Sequence, residues 1–286
     1  MLNKLSTNLS LKFFKQRKPL ELVIFDKLFN KFFINTNNKN EYIMKYHQDG
    51  FVKINPNISD EIETINKNLE LEKNQNYPPY SFKINKIIEE TIDKIIKVKM
   101  KNYFSNLEDY FNSEIYPAVV NLKRNTHYKK IDENHEYYSD NFHNDAYTLT
   151  HFKIFFNLMD VDENNGPMHI VPKKNTKKFL NEIRYKDRNN YDQKFTNKNL
   201  YYCNIGKKSD VLIFNPTQCF HRATIPKKEC YRDYLTITFV CIPKKERVKK
   251  NILKDLNIYE YDNNQLLKFA KPNGFIKTFK LFSQFI

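Results

Sequence analysis

The pattern of apolar residues changes near Glu114, and this change limits the folds open to the chain. Before it, apolar residues recur at helical spacing, first in a helix that Ser59 is expected to cap and then over residues 84–96. After it, short β-rich runs occupy residues 115–122, 152–161, 168–171, 210–215 and 234–242. Helices gathered before strands, without βαβ alternation, predict an α+β domain with a mainly antiparallel β core, either a sandwich or a jelly roll.

The same pattern predicts the domain organisation. We expect a single domain over residues 1–243, with a helical front at about 1–113 and the β core at about 114–243. The apolar content of 40% in 286 residues is enough to bury a sizeable core. The basic segment 244–286 is predicted to be an appended helical extension, because it carries Leu253, Leu256, Leu266, Leu267 and Phe269.

The formal net charge of +15 raises the question of a nucleic-acid partner, since lysines gain affinity for phosphate through counterion release. Lysine greatly outnumbers arginine, however, and asparagine, isoleucine, tyrosine and phenylalanine are also abundant, which is typical of A/T-rich codon usage. The lysines are spread along the chain and indicate a solvated surface. No nucleic acid is expected as a partner, and a basic nucleic-acid-binding module remains a third hypothesis for function.

The apolar stretches and the cysteines bear on localisation. No stretch approaches the roughly 20 apolar residues of a membrane helix, so no membrane span is expected. The first 20 residues are interrupted by lysines and lack acidic residues, which argues against a secretory signal and leaves a transit-like segment open. The four cysteines show no C-x-x-C spacing, and a reducing, cytoplasmic setting is predicted.

The tripeptide His143-Asn144-Asp145 introduces metal chemistry. In an extended strand, residues i and i+2 project from one face, so these two side chains can bind one metal together. His221 is the best candidate for a third ligand, because antiparallel pairing can return a strand end to the same edge. Two imidazoles and one carboxylate are typical of non-haem Fe(II) sites with open positions. The alternative for His221 is a structural histidine at a strand end.

A second H-x-D tripeptide, His47-Gln48-Asp49, shows that the pair also occurs without an obvious metal role. Asp49 precedes Gly50 and follows a helical-looking segment, so a turn or capping role explains it, and His47 is interpreted as a helix-end cation. We therefore predict that the metal is held by His143 and Asp145, and that the earlier pair is structural.

Arg232 follows His221 by eleven residues, at the start of a predicted strand. Alternation along this strand separates an inward polar face from an apolar face; the polar face carries Arg232, Tyr234, Thr236 and Thr238. An arginine that faces inward beside a metal histidine requires an anion, and a guanidinium binds a carboxylate through two parallel hydrogen bonds. The alternative is an edge-strand arginine in water.

Taken in their order along the chain, these motifs resemble those of the phytanoyl-CoA dioxygenase family of Fe(II)- and 2-oxoglutarate-dependent oxygenases. The resemblance covers roughly residues 46–240. It comprises the opening motif at 46–52, the H-x-D at His143, the acidic-Asn-Gly-Pro hairpin within 156–172, and the distal His221 with Arg232. The chain departs from the family at Lys173-Lys174-Asn175, where Gly-Ser-His is frequent, and at Ala223, where a small hydroxyl residue is frequent and Thr224 is a possible substitute.

The resemblance implies a double-stranded β-helix, which is a cupin-like jelly roll, flanked by N-terminal helices. It implies Fe(II) on His143, Asp145 and His221, with 2-oxoglutarate as cosubstrate anchored by Arg232. The implied activity is that of a dioxygenase, by default a hydroxylase, which uses O₂ on a small-molecule substrate. A non-catalytic jelly-roll binding protein is the alternative from another class.

Lys153 is assigned by alternation from Phe155, whose counterpart in the family faces the barrel interior. The same alternation brings Lys153 and Asn157 to that side. Lys153 is therefore expected to pair with the cosubstrate or to select an anionic substrate. The alternative is a surface lysine whose alkyl stem lies along the protein.

Overall fold

The computed structural model describes residues 2–16, 18–129, 136, 139–185, 197–244, 266, 272 and 274–286. The described helices are α1 (Leu2–Phe14), α2 (Leu20–Phe32), α3 (Glu41–Asp49), α4 (Ser59–Lys67), α5 (Lys86–Lys94), α6 (Lys101–Phe111), α7 (Thr176–Glu182) and α8 (Phe275–Phe285), with a π-helical turn at Ile95–Lys99. The described strands are β1 (Phe51–Ile54), β2 (Tyr80–Ser81), β3 (Glu114–Thr126), β4 (His151–Asn157), β5 (His169–Ile170), β6 (Tyr202–Cys203), β7 (Val211–Phe214), β8 (His221–Arg222) and β9 (Tyr231–Ile242). Within these ranges, no helix combines the length and apolarity needed to cross a lipid bilayer.

Two antiparallel sheets form the β core, as the run of short β-rich segments predicts. The larger sheet has six strands in the order β1-β7-β4-β9-β3-β2, and the smaller has three in the order β6-β5-β8. The longest ladder pairs β3 with β9, from Glu114 opposite Ile242 to Thr126 opposite Tyr231, with an irregularity between Pro117 and Val119. The sheets do not close into a barrel within the described part of the chain.

The helices at the front of the chain cover one face of the six-stranded sheet. Alternation sends Leu235, Ile237 and Phe239 of β9 to this face, where they are at most 1% exposed and join one core cluster with residues of α4 and α5. Each large apolar side chain buried in this way contributes about 1.5–3 kcal/mol relative to exposure. The apolar faces of these helices are thus buried against the large sheet.

The opposite face of the large sheet looks towards the three-stranded sheet. Phe51, Phe155 and Leu212 from the large sheet are buried in one cluster with Met168 and Ile170 at β5. This apolar layer joins the two sheets at one end. The remainder of the same face is polar and lines a cavity described below.

Several element ends differ from the sequence predictions. α4 begins at Ser59, whose hydroxyl accepts a hydrogen bond from Ser209 at 3.2 Å, and Ile58 occupies the cap position without a side-chain cap. The first long strand extends to Thr126 instead of ending at residue 122, because β9 continues to pair with it. The strand predicted over residues 152–161 ends at Asn157, where its register with β9 also ends.

The basic C-terminal segment contains helix α8, which packs on α2 through aromatic residues. The rings of Phe282 and Phe285 contact those of Phe25, Phe29 and Phe33, at centroid separations of 5.0–6.3 Å. Leu266 is buried, whereas Leu253, Leu256, Leu267 and Phe269 lie outside the described residues. The domain boundary at residue 243 stays a prediction.

Candidate metal centre

His143, Asp145 and His221 come together beside the small sheet. His143 and His221 form an isolated β-bridge, in which each backbone N–H donates to the carbonyl oxygen of the other residue. The backbone N–H of Asp145 donates to the carbonyl of Pro216 at 2.8 Å. One ligand atom from each of the three side chains lies within 4.8 Å of the others. Across the described ranges, no other group of three His, Cys, Asp or Glu side chains has this geometry.

Backbone carbonyls orient both imidazoles. Nδ1 of His143 lies 2.8 Å from the carbonyl oxygen of Asn141, and Nδ1 of His221 lies 3.0 Å from that of Cys219. Carbonyl oxygens only accept hydrogen bonds, so in the neutral rings each Nδ1 carries the proton and each Nε2 keeps its lone pair. Such contacts fix the tautomer and ring orientation of metal-ligating histidines. Nε2 of His143 lies 3.7 Å from Oδ1 of Asp145.

Lys153 lies beside the carboxylate of this group. Its ammonium donates to Oδ2 of Asp145 at 2.7 Å, from a position on β4 opposite Thr238 of β9. Burial alone would raise the pKa of Asp145, but the charge of Lys153 and the electrostatic influence of the nearby histidines hold it well below its usual range. The carboxylate is therefore ionised at neutral pH, as a metal ligand must be.

Arg232 is buried inside the molecule, with 2% of its surface exposed. Its Nη1 donates to the backbone carbonyl of Gly166, in the turn that precedes β5. The guanidinium carbon lies 5.8 Å from the ring centroid of Phe155 and 5.3 Å from that of Tyr234. The structure thus places this arginine on the inward face of β9 and excludes an edge position in water.

A cavity of about 590 Å³ contains all five side chains that the sequence singled out. Its size is that of a site for a small molecule. The described part of its wall contains one carboxylate, from Asp145, together with several cationic and imidazole groups. The lining residues that carry charge or an imidazole are Lys123, His143, Asp145, His151, Lys153, His221 and Arg232.

Several residues of the wall carry no prediction from the sequence, among them Lys123, His151 and Tyr147. Lys123 was missed because the predicted strand ended one residue before it, although β3 continues and sets Lys123 opposite Tyr234. His151 begins β4 and shares the face of Lys153 by alternation, which is a signal that the sequence does contain. Tyr147 stacks on the His151 ring at 4.4 Å and has no comparable sequence signal.

His151 is held neutral by its surroundings. The side chain is 1% exposed, and burial, followed by the nearby charge of Lys153, lowers its pKa to about 3. A neutral imidazole in this wall adds hydrogen-bonding capacity without adding charge.

The earlier H-x-D pair lies outside the metal group. Nδ1 of His47 lies 2.9 Å from the hydroxyl of Tyr110, and Asp49 forms an ion pair with Lys174 at 3.0 Å. α3 ends at Asp49, and Gly50 follows in the left-handed region with φ 79°. The local structure is thus the helix end and turn that Asp-Gly predicts.

Ala223 and Thr224, the second and third residues after His221, have different surroundings. Ala223 lines the cavity, whereas the hydroxyl of Thr224 donates to the carbonyl of Pro167 at 2.6 Å. Thr224 therefore uses its hydroxyl to hold the hairpin, and the wall at this point is a methyl group.

Comparison with known proteins gives structural matches only. No family model matches the chain, and no curated protein matches it. One solved structure is HygX from Streptomyces hygroscopicus with nickel and 2-oxoglutarate bound, at 14% identity, 71% coverage of this chain, 87% of that chain, and a TM-score of 0.48. Others are the non-haem alpha-ketoglutarate-dependent epimerase SnoN from nogalamycin biosynthesis (14% identity, 70% and 81% coverage, TM-score 0.45) and EvdO2 from Micromonospora carbonacea var. aurantiaca complexed with 2-oxoglutarate (10%, 73% and 92%, 0.45).

Proposed function

We propose that the protein is an Fe(II)- and 2-oxoglutarate-dependent dioxygenase that hydroxylates an unactivated C–H bond of a small metabolite. The observation that carries this proposal is the convergence of two imidazoles and one carboxylate in a cavity that also contains a buried arginine. The proposal includes a double-stranded β-helix core, supported by the two facing antiparallel sheets. The order of His143, Asp145, His221 and Arg232 resembles that of the phytanoyl-CoA dioxygenase family.

The three side chains fit a divalent metal of the iron type. The donor set of two imidazoles and one carboxylate is that of non-haem Fe(II) sites. Ligand atoms within 4.8 Å of one another need only small movements to reach one ion at about 2.0–2.2 Å. Bound Fe(II), with 2-oxoglutarate and O₂, would supply the oxidation that couples decarboxylation of the cosubstrate to attack on a C–H bond.

The remaining residues of the cavity divide into two roles. Arg232 is proposed to bind the distal carboxylate of 2-oxoglutarate, since a buried guanidinium favours a bidentate anionic partner. Lys153 is proposed to hold Oδ2 of Asp145, which leaves Oδ1 for the metal. Contact of Lys153 with the cosubstrate or with an anionic substrate stays a prediction, because Asp145 already engages its ammonium.

A reducing, cytoplasmic setting is part of the proposal. All four cysteines are free thiols, and Cys219 and Cys241 are buried. Burial raises the pKa of the Cys219 thiol to about 12, so this sulfur is not a reactive thiolate.

The test is an anaerobic titration of the Fe(II)-loaded protein with 2-oxoglutarate, followed by measurement of succinate release in air. Saturable cosubstrate binding followed by succinate formation is expected. Asp145→Ala is the matched control, and this variant should lose both 2-oxoglutarate binding and succinate formation. Metal binding without any 2-oxoglutarate binding would overturn the proposal, and binding of both without turnover would favour the non-catalytic binding protein.

A further inference from the structure

Helices α1, α2 and α8 form a layer at one side of the molecule, and this layer is unusually apolar on its outer surface. α1 and α8 both pack on α2. Among the described residues, sixteen large hydrophobic side chains are exposed, and nine of these lie in the three helices or directly follow α8. The nine are Leu5, Leu9, Phe13, Phe14, Phe32, Phe275, Ile276, Phe279 and Ile286. We call this surface the terminal-helix face.

The charges of the same three helices are of one sign at the surface. Their acidic residues are Glu21 and Asp26, which are 4% and 5% exposed. Glu21 accepts a hydrogen bond from Ser6 at 2.8 Å, and Asp26 pairs with buried Lys18. The exposed charges of the described side chains on the layer are all lysines, namely Lys12, Lys27, Lys31, Lys277 and Lys280.

The lysines and the apolar groups are interleaved. The ammonium of Lys27 on α2 lies 4.0 Å from the ring centroid of Phe14, which joins α1 to α2. Lys12 and Lys31 lie similarly over the rings of their neighbours, at 5.6 and 5.4 Å. On the other side, Ile24 and Leu28 of α2 line a shallow cleft with Phe275 and Phe279 of α8. Side chains of α2 on the terminal-helix face thus adjoin side chains of both α1 and α8.

We propose that the terminal-helix face docks on the surface of an anionic lipid bilayer. Exposed apolar patches of this kind mark interaction surfaces. Helices that combine exposed Phe, Leu and Ile with lysines, and expose no acidic side chain, have the composition of interfacial membrane helices. Lysine stems lie along apolar surface while their ammonium groups reach the headgroups, and anionic lipids attract each of them.

Other occupants match this surface less well. A second copy of the chain would bring lysines of both copies together without acidic partners, which opposes association. A nucleic acid would match the lysines but would leave Ile276 and Phe279, which are 75% and 54% exposed, without apolar partners. This inference does not depend on the proposed dioxygenase activity.

The test is sedimentation of the full-length protein with lipid vesicles. Vesicles of phosphatidylcholine alone are compared with vesicles containing about 30% phosphatidylserine, because the anionic lipid supplies the surface potential. Binding is expected with phosphatidylserine and should weaken as salt rises, since salt screens exposed charges. Lys277→Glu with Lys280→Glu should reduce the partition coefficient about tenfold or more. Ile276→Asn with Phe279→Asn should also weaken binding, through loss of inserted apolar area.

The matched control is Ile87→Asn with Val98→Asn, since these residues are 51% and 64% exposed but lie on α5 and the π-helical turn. This variant should bind vesicles as the unmodified protein does. Thermal unfolding of every variant verifies that the fold is retained. Absence of binding to anionic vesicles at low salt, or equal loss in the control, would overturn the proposal. A face variant that converts a dimer into a monomer would assign the surface to self-association and would overturn it as well.

Discussion

His143 and His221 are joined by a pair of backbone hydrogen bonds, with the N–H of each donating to the carbonyl of the other at 3.0 and 2.8 Å. With this backbone pairing, the centroids of the two imidazole rings lie 4.4 Å apart. Together with the carbonyl contacts at each Nδ1, this pairing arranges the two proposed metal ligands before any metal binds. In a preorganised site of this kind, little conformational entropy is lost when a metal binds.

The first prediction distinguishes the two H-x-D pairs. His143→Ala should weaken binding of a divalent metal by more than the ~10–100-fold that loss of a supporting partner costs, because a ligand itself is removed. His47→Ala should leave metal affinity nearly unchanged, since His47 contacts the Tyr110 hydroxyl and lies outside the group. Calorimetric titration with Mn²⁺ measures both. Loss of the metal in the His47 variant would refute the choice between the pairs.

The second prediction concerns cosubstrate affinity. Arg232→Ala should leave the distal carboxylate of 2-oxoglutarate desolvated and unpaired, at a cost of about 2–5 kcal/mol, or roughly 30- to several-thousand-fold. Arg232→Lys should restore only part of this affinity, because an ammonium lacks the planar fork. The measurement is an anaerobic titration of the Fe(II) protein with 2-oxoglutarate. Unchanged affinity with an intact metal site would move the anchor to another cation of the cavity, such as Lys153.

The third prediction is a pH dependence of stability from His151. Its pKa is lowered to about 3 by burial and then by Lys153, whereas the unfolded chain titrates near 6.5. Between these two pKa values the unfolded state binds a proton that the native state does not bind. The contribution of His151 to the free energy of unfolding is therefore fully present above pH ~6.5 and is lost as pH falls towards 3. At pH ~5 the loss is about 2 kcal/mol.

His151→Asn removes this titration. Between pH ~7 and pH ~5, the free energy of unfolding of the variant should fall by about 2 kcal/mol less than that of the unmodified protein. Urea unfolding at each pH measures the difference. Parallel pH profiles for the two proteins would show that His151 titrates normally in the native state.

The fourth prediction addresses the buried ion pair between Lys18 and Asp26. Lys18 is fully buried, and Oδ1 of Asp26 also accepts the backbone N–H of Leu149 at 2.7 Å. Asp26→Asn leaves a buried charge without its partner and should lower the free energy of unfolding by about 3–5 kcal/mol. Lys97→Met, which breaks an exposed pair with Asp93, should cost about 0.5 kcal/mol or less. Similar costs for the two variants in urea unfolding would contradict the buried character of the first pair.

The fifth prediction is that the net positive charge does not report a nucleic-acid partner. Fluorescence anisotropy with duplex DNA and with RNA should give dissociation constants weaker than about 1 µM at physiological salt, in the range of non-specific binding. Binding tighter than this would restore the hypothesis of a nucleic-acid-binding module.

Much of the fold and of the site could be predicted from local pattern. The helical front and strand-rich back follow from a change in apolar period, which neighbouring residues create through backbone sterics and side-chain direction. Alternation along β9 correctly separated Arg232 and Thr236 from Leu235 and Ile237, because side-chain direction in a strand depends only on residue parity. The turn at Asp49 and Gly50 is also a local property, since it depends on a left-handed backbone position.

The composition of the cavity and of the terminal-helix face was decided by tertiary structure. Lys123 reached the cavity only because β9 extends its pairing with β3, and Lys153 met Asp145 because β4 lies between β7 and β9. α8 packs on α2 across nearly the whole length of the chain. The chain alone determined which chemical groups are present and which face of each element they occupy. Which faces meet depends on the total free energy of many long-range contacts, and no short stretch of sequence contains that sum.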